Sequence, residues 1–135
     1  MSKRLDGKVA VIIGAGCVGP GWGNGRATAF RFVEEGASVL AVDNSEEALL
    51  ETIERVAPLD GVMETYIGDA TKSQSVASMI AACMSRFGRL DILVNNVGGS
   101  KKGGPVDLSE EDWDSQIDQN LKSVFFLVIP LQIRL

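Results

Sequence analysis

Histidine is absent from all 135 residues. A chain without imidazole cannot build Ser-His-Asp or Cys-His nucleophilic machinery, nor a His-ligated zinc site. Cysteine is scarce: Cys17 and Cys83 have neither metal-ligand spacing nor the density of a disulfide scaffold, so no metal site is expected. Basic residues form no block. With 13 Lys and Arg against 18 Asp and Glu, the net charge of −5 argues against a nucleic-acid or anionic-membrane partner. No apolar run approaches the length of a membrane span. The opening "MSKRLDGKVAV" is interrupted by Asp6, Gly7 and Lys8 before a secretion-signal core forms. The expectation is a globular, cytoplasmic protein folding as one domain over residues 1–135.

What is present is alternation. "KVAVII" is the continuous apolar run of a strand buried on both faces. A glycine-rich stretch follows, then a helical pattern from Arg26 ended by Gly36, and a second strand, "SVLAVD". Asn44 with Glu47 reads as the capping pattern of a second helix, stopped by Pro58. "VMETYIGD" is a third strand, and Thr71 with Gln74 reads as a capping box for a helix burying Val76, Met79, Ile80, Cys83 and Phe87. "DILVNN" is the fourth strand. Ser109 caps the last helix, with Leu108 and Trp113 at the positions of a hydrophobic staple. Four βα units in succession require a parallel sheet with helices on its faces, and ligands bind beyond the carboxyl ends of such strands.

The stretch "GAGCVGPGWGNG", Gly14 to Gly25, holds six glycines in twelve residues and lies at that end of the first strand. No Gly-Lys-Ser/Thr triplet exists, so a Walker loop is excluded. Gly14, Gly16 and Gly19 spell GxGxxG, but Pro20, Gly21, Gly23 and Gly25 follow at once, and that composition cannot carry a helix. A dinucleotide site needs an acid at the end of the second strand, about 20 residues beyond the glycines. Asp43 lies 18 residues after Gly25 and 24 after Gly19. Gly25 therefore opens the helix, whose dipole and neighbouring amides suit a pyrophosphate.

Taken with "GDAT", "GRLDILVNNVGG" and "WDSQIDQNLKSVFFL", the loop and its flanks resemble the first half of the short-chain dehydrogenase/reductase family, from about Leu5 to Leu127. The resemblance implies a Rossmann-like α/β fold: an incomplete doubly wound parallel sheet, strands in the order 3-2-1-4 with flanking helices. The family's TGxxxGxG loop is altered here. Ile13 replaces threonine, and eight residues rather than three separate Gly14 from Gly23, a five-residue insertion. Trp22, within it, has two readings: a lid over the cofactor, or an anchor of the loop on its own helix, which its apolar area favours. Cys17 reads as a small residue fitted into a crowded loop, or as a thiol activated by amide dipoles.

The resemblance implies cofactor contacts from Gly14, Gly16, Gly23, Asn24 and Gly25 in the loop, from Asp43 on the adenosine ribose, from Asp69 and Ala70 near the adenine, and from Asn96, Val97 and Gly98 along the ribose. Asp69 has a second reading, as a cap of the following helix. Asn95 is expected to tie neighbouring strands together, and Asp91 to be structural; Lys101 and Lys102 read as a solvated pair. A carboxylate at Asp43 with no arginine after it favours NAD over NADP. Asn120 alone matches the family's catalytic set, where it bends the fourth helix and holds a water linked to the active-site lysine. The family's serine and Tyr-x-x-x-Lys have no counterpart: the single tyrosine is Tyr66, and Ala70 stands four residues on.

Two expectations follow from different classes. One is an NAD-dependent oxidoreductase moving hydride between hydroxyl and carbonyl on a small alcohol or ketone, present as an N-terminal part truncated before its catalytic residues. The other is an inactive module or interrupted-gene relic that binds the adenosine half of NAD. The apolar "VIPLQIRL" makes residues 128–135 a candidate non-native tail. Homo-oligomers through the fourth helix or an open fourth-strand edge are expected.

Overall fold

The computed structural model describes residues 3–132. Strands and helices alternate as β1 (Val9–Ile13), α1 (Asn24–Glu34), β2 (Ser38–Asp43), α2 (Glu46–Val56), β3 (Val62–Ile67), α3 (Ser73–Phe87), β4 (Ile92–Asn95), α4 (Glu110–Ile117) and α5 (Ser123–Gln132). One π-helical turn, Asp118–Lys122, joins the last two helices. The strands pair in parallel in the order β3-β2-β1-β4, as the family resemblance implies.

β1 is buried at every residue and β2 at its four inner ones, which is why both read as unbroken apolar runs. Alternate side chains leave a strand on opposite faces. Val9, Val11, Ile13, Leu40 and Val42 meet Val76, Met79 and Cys83 of α3 and Leu127 of α5 on one face. Ala10, Ile12, Val39 and Ala41 meet Ala29 and Val33 of α1 and Leu49 and Val56 of α2 on the other. Each large aliphatic side chain so buried contributes about 1.5–3 kcal/mol, so these two layers fix where the strand ends stand. Asp91 secures the base of β1, accepting the Val9 N–H at 2.8 Å while Arg89 donates to its other oxygen at 2.6 Å.

Several local expectations need correction. α1 opens at Asn24, two residues before Arg26. α2 is capped by Ser45, not Asn44: the Ser45 Oγ accepts the Ala48 N–H at 3.2 Å. Both residue types cap well, but Asp43 accepts the Ser45 N–H at 3.1 Å and so delays the turn by one residue. Thr71 and Gln74 form no capping box. Thr71 gives its N–H and hydroxyl to Asp69 Oδ1, at 2.9 and 2.6 Å, and α3 begins after Lys72 without a side-chain cap. Ser109 does cap α4, accepting the Asp112 N–H at 3.0 Å, and Trp113, one of the two staple positions, is 60 % exposed. Lys101 is not simply solvated, since it pairs with Asp112 at 3.6 Å.

α5 continues through Pro130 to Gln132. The candidate non-native tail, residues 128–135, is thus helical to Gln132, and residues 133–135 lie outside the described residues. Ile117, Leu121, Phe125, Val128 and Ile129 leave an exposed apolar stripe along α4 and α5. Among the described residues β4 pairs with β1 alone. No helix among them is long and apolar enough to cross a membrane.

Candidate functional site

The ends of β1, β2 and β4 and the start of α1 converge on one cleft of about 840 Å³. The Gly14 and Ala15 amides both donate to Val42 O, at 2.8 and 2.9 Å, which turns the chain across the tip of β2. Gly14 has φ +85°, and a Cβ there would lie 2.9 Å from Asn96 O. A Cβ on Gly25 would lie inside contact of the Gly14 carbonyl oxygen and 2.8 Å from Asn96 Nδ2. The first turn of α1 therefore rests directly on the end of β1, an approach only glycine allows.

Asn96 closes this junction, donating from Nδ2 to Gly14 O at 3.2 Å. The tie expected of Asn95 is thus made by its neighbour. Asn95 is exposed, and among the described residues its side chain makes no hydrogen bond.

α1 enters the cleft uncapped. Its Ncap, Gly23, supplies no side-chain acceptor, and no acid stands in the first turn. α2 and α4 differ, each having a serine cap and acidic residues in the first turn. Free amides and the positive end of the dipole thus face the cleft at Asn24 and Gly25, where an anion is stabilised.

Asp43 stands across from them. Its Oδ2 accepts the Gly16 N–H at 3.0 Å and its Oδ1 the Ser45 N–H at 3.1 Å. Two backbone donors orient the carboxylate and leave one lone-pair site on each oxygen. A Cβ on Gly16 would stand 2.9 Å from Asp43 Oδ2 and 2.6 Å from Ala48 Cβ, so the loop presses against β2 and α2.

Asp69 receives both Thr71 bonds on Oδ1, first the hydroxyl and then the N–H, and these hold its carboxyl below the usual range. Asp69 is therefore not the cap of α3, whose Ncap is Lys72 without a side-chain bond; it shapes the turn before the helix, and its Oδ2 takes no bond from the described residues.

Gly14, Gly16, Gly23, Asn24, Gly25, Asp43, Asp69, Ala70, Asn96, Val97 and Gly98 all line this cleft. Asn120 does not. It sits in the π turn, where its Oδ1 accepts the Gly99 N–H at 3.0 Å and its Nδ2 donates to Gly99 O and Gln116 O, both at 2.9 Å. Two of these bonds clasp Gly99 in the loop after β4, and the third ties the side chain to α4. Tyr66 is half-buried against the α3 layer, with the Arg86 guanidinium 5.8 Å from its ring, and lies outside the cleft.

Trp22 packs edge-on against Phe30 of α1 at 5.4 Å, with the Arg55 guanidinium 4.2 Å from its ring centroid. It anchors the loop and does not line the cleft. Cys17 is half-buried, and its Sγ would touch a Cβ on Gly23 at 2.9 Å, as a small residue in a crowded loop would. Unforeseen was the buried Arg26, bonded to both the loop and α2. A basic residue in the first turn of a helix, against the dipole, is the one sequence signal that marks it.

Comparison with known proteins agrees with this geometry. Residues 8–131 match the short chain dehydrogenase family. The chain is 37 % identical over 134 residues to 3-oxoacyl-(acyl-carrier-protein) reductase of Thermotoga maritima, covering 97 % of this chain and 52 % of that protein. A Burkholderia xenovorans structure described as a short-chain dehydrogenase/reductase superposes with TM-score 0.90 and 50 % identity, over 93 % of this chain and 48 % of the other. Carveol dehydrogenase from Mycobacterium avium, in complex with NAD, superposes with TM-score 0.83 and 32 % identity, over 93 % and 48 %. The chain spans about half the length of the curated relatives it matches.

Proposed function

We propose, for a chain that belongs to the short-chain dehydrogenase family, that the cleft holds the adenosine and diphosphate part of NAD. Members of this family bind nicotinamide cofactors, and the residues here suit that group. The uncapped start of α1 suits a diphosphate, and the Asp43 carboxylate suits a ribose diol. The observation that carries the reading is that Asp43, 18 residues after Gly25, and the α1 amides face one cleft, with no room for a Cβ at Gly14, Gly16 or Gly25.

NAD is favoured over NADP because the Asp43 carboxylate repels a 2′-phosphate and Asn44, not arginine, follows it. Calorimetry with ADP-ribose and its 2′-phosphorylated form tests this. ADP-ribose should bind more tightly, and Asp43→Ala should remove that preference. Equal binding of both by the parent chain would refute it.

Bound nicotinamide supplies hydride transfer, and we read the whole protein as an oxidoreductase of small alcohols or ketones. What these residues do is bind, orient and hold the anionic half of the cofactor. A second reading is favoured by Tyr66 lying outside the cleft with Ala70 four residues on: this chain binds without performing the chemistry, since a proton donor contributes about 10²–10⁴ in rate. NADH formation from a panel of secondary alcohols should then stay at background. Turnover abolished by Gly25→Trp would overturn that reading. The stripe from Ile117 to Ile129 and the β4 edge are the surfaces we propose for homo-oligomers, to be checked by light scattering.

A further inference from the structure

The enlarged loop is held by a buried cation. Arg26, in the first turn of α1, is 1 % exposed. Its guanidinium donates to two loop carbonyls, Gly19 O at 3.4 Å and Gly21 O at shorter range. On α2 it donates to Ala48 O at 3.0 Å, Thr52 Oγ1 at 3.0 Å and Glu51 Oε2 at 2.8 Å. The Thr52 hydroxyl in turn donates to Ala15 O at 2.9 Å. Glu51 accepts the Gly21 N–H at 3.1 Å and two bonds from Arg55, at 2.8 and 2.6 Å.

Three carbonyls of the loop, those of Ala15, Gly19 and Gly21, are thereby turned toward α2. A backbone cradle for an anion needs that sense, because a carbonyl oxygen facing the anion would repel it while outward N–H groups attract it. Lysine could not replace the guanidinium. The planar fork bonds the loop carbonyls and α2 from three separate nitrogens, whereas the three donors of an ammonium all leave one nitrogen and cannot span both. Burial of the charge is compensated by Glu51 and by the four other acceptors.

We infer that Arg26, with Thr52 and Glu51, is a positioning device that holds the enlarged glycine loop with its carbonyls turned inward, presenting its remaining amides and the α1 terminus to a dinucleotide diphosphate. The diphosphate part of this inference rests on the cofactor site proposed above. A loop released from the clasp samples other conformations, and a ligand that binds only the competent fraction has its apparent Kd raised by the inverse of that fraction.

The test uses the whole chain in a Trp113→Phe background, which leaves Trp22 as the single tryptophan. Acrylamide quenching of Trp22, ADP-ribose affinity and the urea midpoint are measured for the parent, Arg26→Lys, Glu51→Gln and the double variant. Arg26→Lys should raise quenching and weaken ADP-ribose about tenfold, as for a loop competent in roughly a tenth of molecules. Glu51→Gln should act in the same direction and less strongly. The double variant should be little worse than Arg26→Lys alone, since both changes release one clasp. Parent-like quenching and affinity in cooperatively folding variants overturn the inference. If Arg26→Lys does not fold, the more exposed Glu51→Gln decides. A parent that binds no ADP-ribose overturns the cofactor reading and the diphosphate part with it, while the quenching comparison still decides whether the clasp orders the loop.

Discussion

Alanine at Gly25 and alanine at Gly19 should have opposite consequences, and the structure sets the size of each. A Cβ on Gly25 would stand 2.7 Å from the Gly14 carbonyl carbon and 2.8 Å from Asn96 Nδ2. Carbon atoms settle at about 3.5–4.0 Å, so the start of α1 must retreat from β1 by about 1 Å. α1 cannot retreat freely, because Ala29 and Val33 are buried against the sheet one and two turns on. Overpacking of this kind costs about 1–3 kcal/mol, and a backbone obstacle puts the change at the upper end.

Gly19 has no atom within 4 Å of its Cβ position and is not among the positive-φ glycines. Alanine there restricts the unfolded chain and should be neutral or stabilise by about 0.4–1 kcal/mol. Urea unfolding followed by far-UV circular dichroism reads both. With a slope of about 1–3 kcal/mol per molar, Gly25→Ala should lower the midpoint by about 1 M or more. Gly19→Ala should leave it in place or raise it slightly. Equal losses at the two positions would refute the choice of Gly25 as the glycine that opens α1.

Other outcomes test separate parts of the fold. The Asp69 carboxyl is held below its ordinary range by the Thr71 hydroxyl and N–H, and that of Asp91 by Arg89 and the Val9 N–H. A carboxyl lowered in the folded state stabilises fully above its unfolded pKa of about 3.9 and ceases to do so as pH falls through the folded value. Urea midpoints should therefore fall below about pH 4, and Asp91→Asn should flatten that decline; a parent curve level down to pH 2 would contradict the assignment. Ser45→Ala should cost about 1 kcal/mol as the loss of a cap, and Asn44→Ala should stay within about 0.5 kcal/mol; the reverse order would restore Asn44 as the cap. Leu127 is 1 % exposed beneath the α3 layer, so Leu127→Ala should cost about 2–5 kcal/mol, and no loss would mean that α5 is not part of the cooperative unit.

The first two strands and the cleft were legible because they rest on signals of short range, while the strand order came with the family resemblance. Strands buried on both faces have no polar alternation to disguise them, and the 18-residue step from Gly25 to Asp43 leaves space for only one helix and one strand. The errors fell where neighbouring residues compete. Asn44 and Ser45 are interchangeable as cap types, and only the Asp43 bond to the Ser45 N–H selects the second. Thr71 looked like a cap until Asp69 proved the nearer partner. Asn95 and Asn96 differ by one residue, and successive side chains of a strand point to opposite sides; the one that reaches Gly14 O is Asn96. The role of Arg26 was missed for another reason: its basic charge in the first turn of α1 is a local signal, but its partners at 48, 51 and 52 are distant in sequence and belong to no local pattern.

That last omission bears on the five residues by which the loop exceeds its family's spacing. Ordering a residue costs about 1–2 kcal/mol of backbone entropy, and glycine loses more than most. An insertion containing "CVGPG" has little side chain with which to offset this, so the compensating contacts must come from outside it. They do: Arg26 from α1, Thr52, Glu51 and Arg55 from α2, with Phe30 beneath Trp22. Hydrogen bonds to a charged group contribute about 1.5–3 kcal/mol each, the scale on which a few of them order a loop of this size. Without the insertion there are no Gly19 and Gly21 carbonyls for Arg26 to hold, and without Arg26 the insertion keeps only the Glu51 bond to Gly21 N–H and the packing of Trp22. The two belong to one device, whose sequence signature is an arginine one residue after the last glycine of an enlarged loop.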